Sequence, residues 1–110
     1  MGKIKNPKFE IKETKNEEYH FVLKAKNGRT ILSSETYVSK QGAEGGIASI
    51  VANSHSPNFK VKRSVDNQHY FILIAENGKT IGVSEMYTTK QGCTKGMQSV
   101  YENTLIIAHR

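Results

Sequence analysis

The sequence predicts a single α+β domain over residues 1–110, in which two copies of one unit (about 7–56 and 57–110) close around a shared core. Three observations predict it. Residues 7–53 recur as residues 57–103 at a constant separation of fifty, without a gap. Each copy carries apolar and polar residues in alternation on either side of an Asn-Gly dipeptide, and each then carries apolar residues at the three- and four-residue spacing of a helix. Nineteen of the forty-seven aligned pairs are identical, including Phe21, Leu23, Ala25, Asn27, Gly28, Tyr37, Gly42 and Gly46, which marks one supersecondary unit used twice. Two copies fall short of the roughly three that a solenoid needs, so a closed pseudo-twofold pair is expected.

Residues 1–6 are polar and predict a flexible tail. Phe9, Glu10, Ile11 and Lys12 alternate strictly and read as a half-buried strand, as do Phe59, Lys60, Val61 and Lys62. Polar connections at 14–18 and 64–68 lead to second strands at 19–25 and 69–75, rich in aromatic and β-branched residues. Phe21, Leu23 and Ala25 share one parity, as do Phe71, Leu73 and Ala75, and form the core-facing row. The opposite row is His20, Val22 and Lys24 in the first copy but Tyr70, Ile72 and Ile74 in the second. That apolar outer row is a candidate partner surface, for another protein or for self-association.

Asn27-Gly28 and Asn77-Gly78 predict hairpins through type I′ turns, which need positive φ at both central residues. Third strands follow at 30–33 and 80–84, with Gly82 where the first copy has Leu32, a sign of a bulge or a close backbone approach. Ser39 and Thr89 are predicted N-caps. Ala43, Gly46, Ile47, Ile50 and Val51 then form a helical stripe, repeated as Cys93, Gly96, Met97, Val100 and Tyr101. A glycine inside a helix costs about 1 kcal/mol relative to alanine, so Gly46 and Gly96 predict helix backbones lying close on the sheet. Asn53 and Asn103 suit a left-handed helix end. Leu105, Ile106, Ile107 and Ala108 are too apolar for a tail and predict a last strand that joins the sheet and pairs with the other copy.

A chain of 110 residues buries roughly two-thirds of its unfolded surface, so folding requires neither metal nor disulfide. The single Cys93 has no partner for a bridge, and its place in the stripe predicts a packed small hydrophobe. No segment approaches the roughly 20 apolar residues of a membrane span, and the start lacks a signal-like apolar run, so a cytoplasmic location is expected. The net charge of +6 comes mostly from scattered lysines, with Lys60, Lys62 and Arg63 near the middle. This balance suits a solvated surface and raises nucleic acid or another polyanion as a partner.

The run Asn-Gly-[Arg/Lys]-Thr-Ile, then Ser-Glu-x-Tyr, Lys-Gln-Gly and a glycine-bearing helix ending in Asn, twice over, resembles the YegP-like family of small bacterial proteins of unknown function. The resemblance covers about residues 9–103. It implies two tandem β3-α-β repeats forming one antiparallel sheet, with two helices packed on it and C-terminal strands exchanged between repeats. It implies no activity, ligand or cofactor. Single-copy relatives are expected to reach this assembly by dimerising, so the tandem form can stand as a monomer. The chain departs from the pattern in its lysine-rich start and in Cys93, where alanine is more usual, as at Ala43.

No catalytic, cofactor-binding or metal-binding residues are assigned. Glu35 and Glu85, two residues before Tyr37 and Tyr87, are the repeated acids beside a phenol. They read as holding the strand-to-helix turn and its tyrosine, with a symmetry-related carboxylate pair as the catalytic alternative. His20, His55, His69 and His109 lack ligand spacing, and an inward-pointing Cys93 is poorly placed as a nucleophile. A candidate anion contact is Lys40 with Gly42, and Lys90 with Gly92, where helix N-termini present amides and partial positive charge. The expected function is a non-enzymatic interaction module acting through its sheet surface or basic face. The alternative is weak binding of single-stranded DNA or RNA, resting on the lysines with Tyr19 and Tyr70.

Overall fold

Alternation with period two, interrupted twice per copy by three-residue loops, builds six strands, and the stripe after each third strand builds a helix. The computed structural model describes residues 5–110, which leaves most of the expected tail at 1–6 outside the described residues. In order come β1 (Lys8–Glu13), β2 (Tyr19–Lys24), β3 (Thr30–Ser33), α1 (Lys40–Asn53), β4 (Phe59–Arg63), β5 (His69–Ile74), β6 (Thr80–Val83) and α2 (Lys90–Ala108). The strands form one antiparallel sheet in the order β1-β2-β3-β6-β5-β4. The repeats meet at its centre, where Ser33 of β3 pairs with Val83 of β6.

Both helices pack on one face of this sheet. A single cluster joins Phe21, Leu23, Leu32, Ala43 and Ile50 to Phe71, Leu73, Cys93 and Val100. Each of the large side chains among them contributes about 1.5–3 kcal/mol by leaving water. The helices cross the seam, α1 reaching β5 and β6 while α2 reaches β3, so neither repeat closes its core alone.

The glycines show how that core is filled. A Cβ on Gly46 would lie 2.7 Å from Tyr37 Cζ and 2.9 Å from Phe21 Cε2, and one on Gly96 would lie 2.6 Å from Tyr87 Cζ. The close approach expected at these positions exists, but its occupant is a tyrosine ring wedged between helix and sheet. Tyr37 stacks on Phe21 at 6.1 Å, and Phe21 meets Phe9 edge-on at 5.8 Å; Tyr87, Phe71 and Phe59 repeat the trio. At Gly82 a Cβ would come within 2.8 Å of Leu32 Cδ2 and 3.2 Å of Ile50 Cδ1. The register shifts lie elsewhere, at Leu23/Lys24 and Leu73/Ile74.

Three expectations are corrected. The Asn-Gly hairpins are not type I′: φ is +86° at Gly28 and Gly78, while Asn27 and Asn77 are not in the positive-φ region. Gly28 N donates to Ala25 O and Ala25 N to Arg29 O, both at 2.9 Å, which makes a three-residue loop closed by a glycine bulge. The 14–18 and 64–68 connections have the same form, with Glu17 and Asn67 at φ +61° and +68°.

Asn53 and Asn103 do not adopt a left-handed end. Both are buried and helical, and each donates from Nδ2 to the carbonyl four residues back, Ser49 O at 2.9 Å and Ser99 O at 2.7 Å.

The expected last strand, and with it the exchange of C-terminal strands, is absent: Leu105, Ile106, Ile107 and Ala108 are the end of α2. A four-residue apolar run fits either element, and its context decides. Val100, Asn103, Thr104 and Ile107 prolong the stripe at i, i+3, i+4 and i+7, and no glycine or proline follows Asn103. After Asn53, by contrast, Pro57 arrives, and Asn58 Nδ2 donates to Asn53 Oδ1 and to Ile74 O at 2.8 Å, latching the chain back to the sheet. Sharing between repeats is done by helices and by the β3–β6 seam.

Candidate functional site

Among the described residues no helix or strand lies over the other face of the sheet, and the strand register fixes what it presents. One row runs Glu10, Val22, Ser33, Val83, Ile72, Lys60 from edge to edge. Lys12 beside His20 and Lys62 beside Tyr70 flank it on one side, and Lys24 and Ile74 on the other. Tyr70, Ile72 and Ile74, the candidate partner surface, therefore lie on the uncovered face with Lys60 and Lys62 directly opposite on β4. Tyr19 does not join them. It shares the side of Phe21 and packs against the core, which leaves Tyr70 without a second aromatic beside it.

The two outer strands differ in charge, β1 being neutral and β4 cationic. On β1, two lysines and two glutamates cancel, and Lys8, Lys12 and Lys24 gather on the Glu10 carboxylate at 3.3, 3.8 and 3.6 Å. That contact, with Lys8 foremost, holds Glu10 below the usual carboxylate range. On β4 the counterparts of Glu10 and Glu13 are Lys60 and Arg63, so the strand carries three cations and no anion. Among the described residues, none of Lys60, Lys62, Arg63 and Lys90 has a carboxylate within ion-pair distance. The difference was visible as two charge reversals between the copies; the identities, which mark the core, draw attention away from it.

Two concavities open along β4 and meet at Val61. One, of about 430 Å³, lies between β4 and α2 and is lined by His55, Phe59, Val61, Met97, Gln98 and Tyr101. The other, of about 300 Å³, is lined by Val61, Lys62, Arg63, His69 and Lys90. Lys90 of the candidate anion contact thus stands in a basic cleft that sequence reasoning did not assemble. The corresponding first-copy positions of its four basic residues are Lys12, Glu13, Tyr19 and Lys40. Gly42 and Gly92 are placed differently, because their amides are already donated to the caps, to Ser39 Oγ at 3.0 Å and Thr89 Oγ1 at 2.9 Å.

The repeated acids do not hold the strand-to-helix turn. Ser34 and Ser84 do: each hydroxyl accepts from the amide of Phe21 or Phe71 at 2.9 Å and donates to the carbonyl of Glu35 or Glu85. Glu85 reaches across the seam to Arg29 at 3.3 Å, and Glu35 is exposed. Burial, reinforced by these carboxylates, pushes the Tyr37 and Tyr87 phenols up. Cys93 is fully buried and its thiol is likewise pushed up by burial. Among the described residues no group of three or more His, Cys, Asp or Glu is gathered as metal ligands, and no helix is long and apolar enough to cross a membrane.

The comparisons with known proteins agree with this architecture. A UPF0339 protein YegP from Yersinia pestis is 63% identical over 46 residues, 42% of this chain and 41% of that protein. The YegP of Escherichia coli K12 is 54% identical over 46 residues, 42% of this chain and 42% of that protein, so the matched segment spans about two-fifths of these curated relatives. The solution structure of E. coli YegP, a protein of unknown function, superimposes with a TM-score of 0.82 at 42% identity, covering 94% of this chain and 90% of that one. A UPF0339 protein from Shewanella oneidensis gives the same TM-score at 38% identity, covering 87% and 82%. The model of a domain of unknown function, DUF1508, matches twice, at residues 14–60 and 64–106, and the chain belongs to that family.

Proposed function

We propose that the protein is a non-enzymatic binding module that engages an acidic protein partner through its second repeat. The observation that carries this reading is the charge reversal between the outer strands: Glu10 and Glu13 on β1 against Lys60 and Arg63 on β4. Lys60 and Lys62, unpaired and directly opposite Ile72 and Tyr70, give this apolar row a positive border, and Arg63 carries the charge round the strand to the helix side. A stacking platform for single strands uses successive aromatic side chains, and on this face Tyr70 stands alone. The buried, protonated Cys93 and the surface pairing of Glu85 with Arg29 supply neither a nucleophile nor a paired base.

The test compares a short labelled peptide of alternating leucine and glutamate with an oligothymidylate of equal charge, by fluorescence anisotropy at low and moderate salt. The peptide is expected to bind more tightly. The variant Lys60→Glu/Arg63→Glu, which installs residues that β1 already carries, is expected to weaken it at least about tenfold. Tighter binding of the oligothymidylate, or an unaffected variant, contradicts the reading.

A further inference from the structure

We infer that the outer edge of β4 takes an extended, acidic segment of the partner as a seventh strand, an inference that rests on the binding-module reading above. The backbone supports it first. Phe71 exchanges both its amide and its carbonyl with the β6 side, through Ser84, and His69 does the same with Tyr87. Residues opposite them in the ladder therefore do not bond across to β5, and the alternation of an antiparallel pair turns the N–H and C=O of Val61 and Arg63 outward. β4 ends the strand order, so a row of backbone donors and acceptors faces away from the sheet.

The side chains along that edge fit one kind of occupant. An added strand directs alternate side chains to the helix side, where the 430 Å³ concavity presents Phe59, Val61, Met97 and Tyr101. Its volume is in the range of sites that take apolar groups. Along the strand the same groove ends in the cleft of Lys62, Arg63, His69 and Lys90, whose cations suit acidic groups at the end of such a segment. Lys60 and Lys62, on the uncovered face, add to the attraction. A second copy of this chain is disfavoured at β4, because two such edges would set lysine against lysine, the device by which sheets resist pairing with themselves. β1, the other edge, neutralises its lysines on Glu10.

The experiment uses the leucine–glutamate peptide in three forms: unmodified, and N-methylated at either the odd or the even residues. Only one parity of its amides can face β4. One methylated peptide is expected to lose at least about tenfold in affinity while the other keeps most of it. The exposed Tyr101→Ala change is expected to weaken the unmodified peptide several-fold with the fold intact by circular dichroism. Equal affinity of all three peptides, or equal loss in both methylated forms, overturns strand addition. If the unmodified peptide still depends on Lys60 and Arg63 in that case, the binding-module reading stands; if nothing binds, both fall.

Discussion

Leu32 fills the space that a side chain at Gly82 would need. The two positions correspond across the repeats and lie near the pseudo-twofold seam, where a Cβ on Gly82 would fall 2.8 Å from the Leu32 side chain. Two leucines would compete for one volume, so the duplication holds one large and one minimal residue there. Leu32→Gly is expected to cost 3 kcal/mol or more, about the range of large-to-small core changes. Gly82→Leu alone overpacks the seam at about 1–3 kcal/mol. The exchange Leu32→Gly/Gly82→Leu should recover at least half of the sum, measured by urea unfolding; strict additivity contradicts a shared volume.

Adjacent glycines in α1 separate propensity from packing. Helix propensity favours alanine by about 1 kcal/mol at both Gly45 and Gly46. A Cβ on Gly45 meets nothing within 4 Å, whereas one on Gly46 strikes the Tyr37 ring and Phe21. Gly45→Ala should therefore stabilise by about 1 kcal/mol, and Gly46→Ala should destabilise by about 1–3 kcal/mol. Equal stabilisation by both in thermal melts contradicts the wedge.

Glu17 stands at φ +61° where its counterpart is Asn67 at +68°. The left-handed region costs an ordinary residue about 1–2 kcal/mol, and asparagine visits it more readily. Glu17→Asn should raise stability by up to about 1 kcal/mol, read as an upward shift of the melting midpoint; a loss contradicts this turn geometry.

Tyr37, Tyr87 and Cys93 bind their protons more tightly in the folded state, chiefly through burial. Groups raised in this way contribute stability fully below their ordinary values, 9.0 for the thiol and 10.0 for the phenols, and lose it as pH rises through the folded-state values. The urea midpoint should fall as pH climbs above this range, and Tyr37→Phe/Tyr87→Phe should flatten the fall. An unchanged slope in the double variant contradicts it.

Much of this architecture was legible because the repeat aligns chemistry with chemistry. Phe21 with Phe71 and Leu23 with Leu73 identified the core row, and Ser39 with Thr89 identified both caps. What escaped depended on context beyond a short window. The run at 105–108 carries no period of its own, and only the stripe from Val100 through Thr104 to Ile107 makes it helical. The Asn-Gly loop has three residues, and the pairing of Ala25 with Arg29 sets that length. The occupant beneath Gly46 is Tyr37, nine positions earlier, and no local pattern joins them. The basic edge was hidden for another reason: identities report the shared core, whereas function is sought in the differences, at Glu10/Lys60 and Glu13/Arg63.

The most direct test of the account is an amide chemical-shift titration of the whole chain with the leucine–glutamate peptide. Strand addition at β4 places the largest changes at Phe59, Val61 and Arg63 and along the facing turn of α2, with β1 and β2 undisturbed. Changes centred on β1, or spread equally over both repeats, would contradict it.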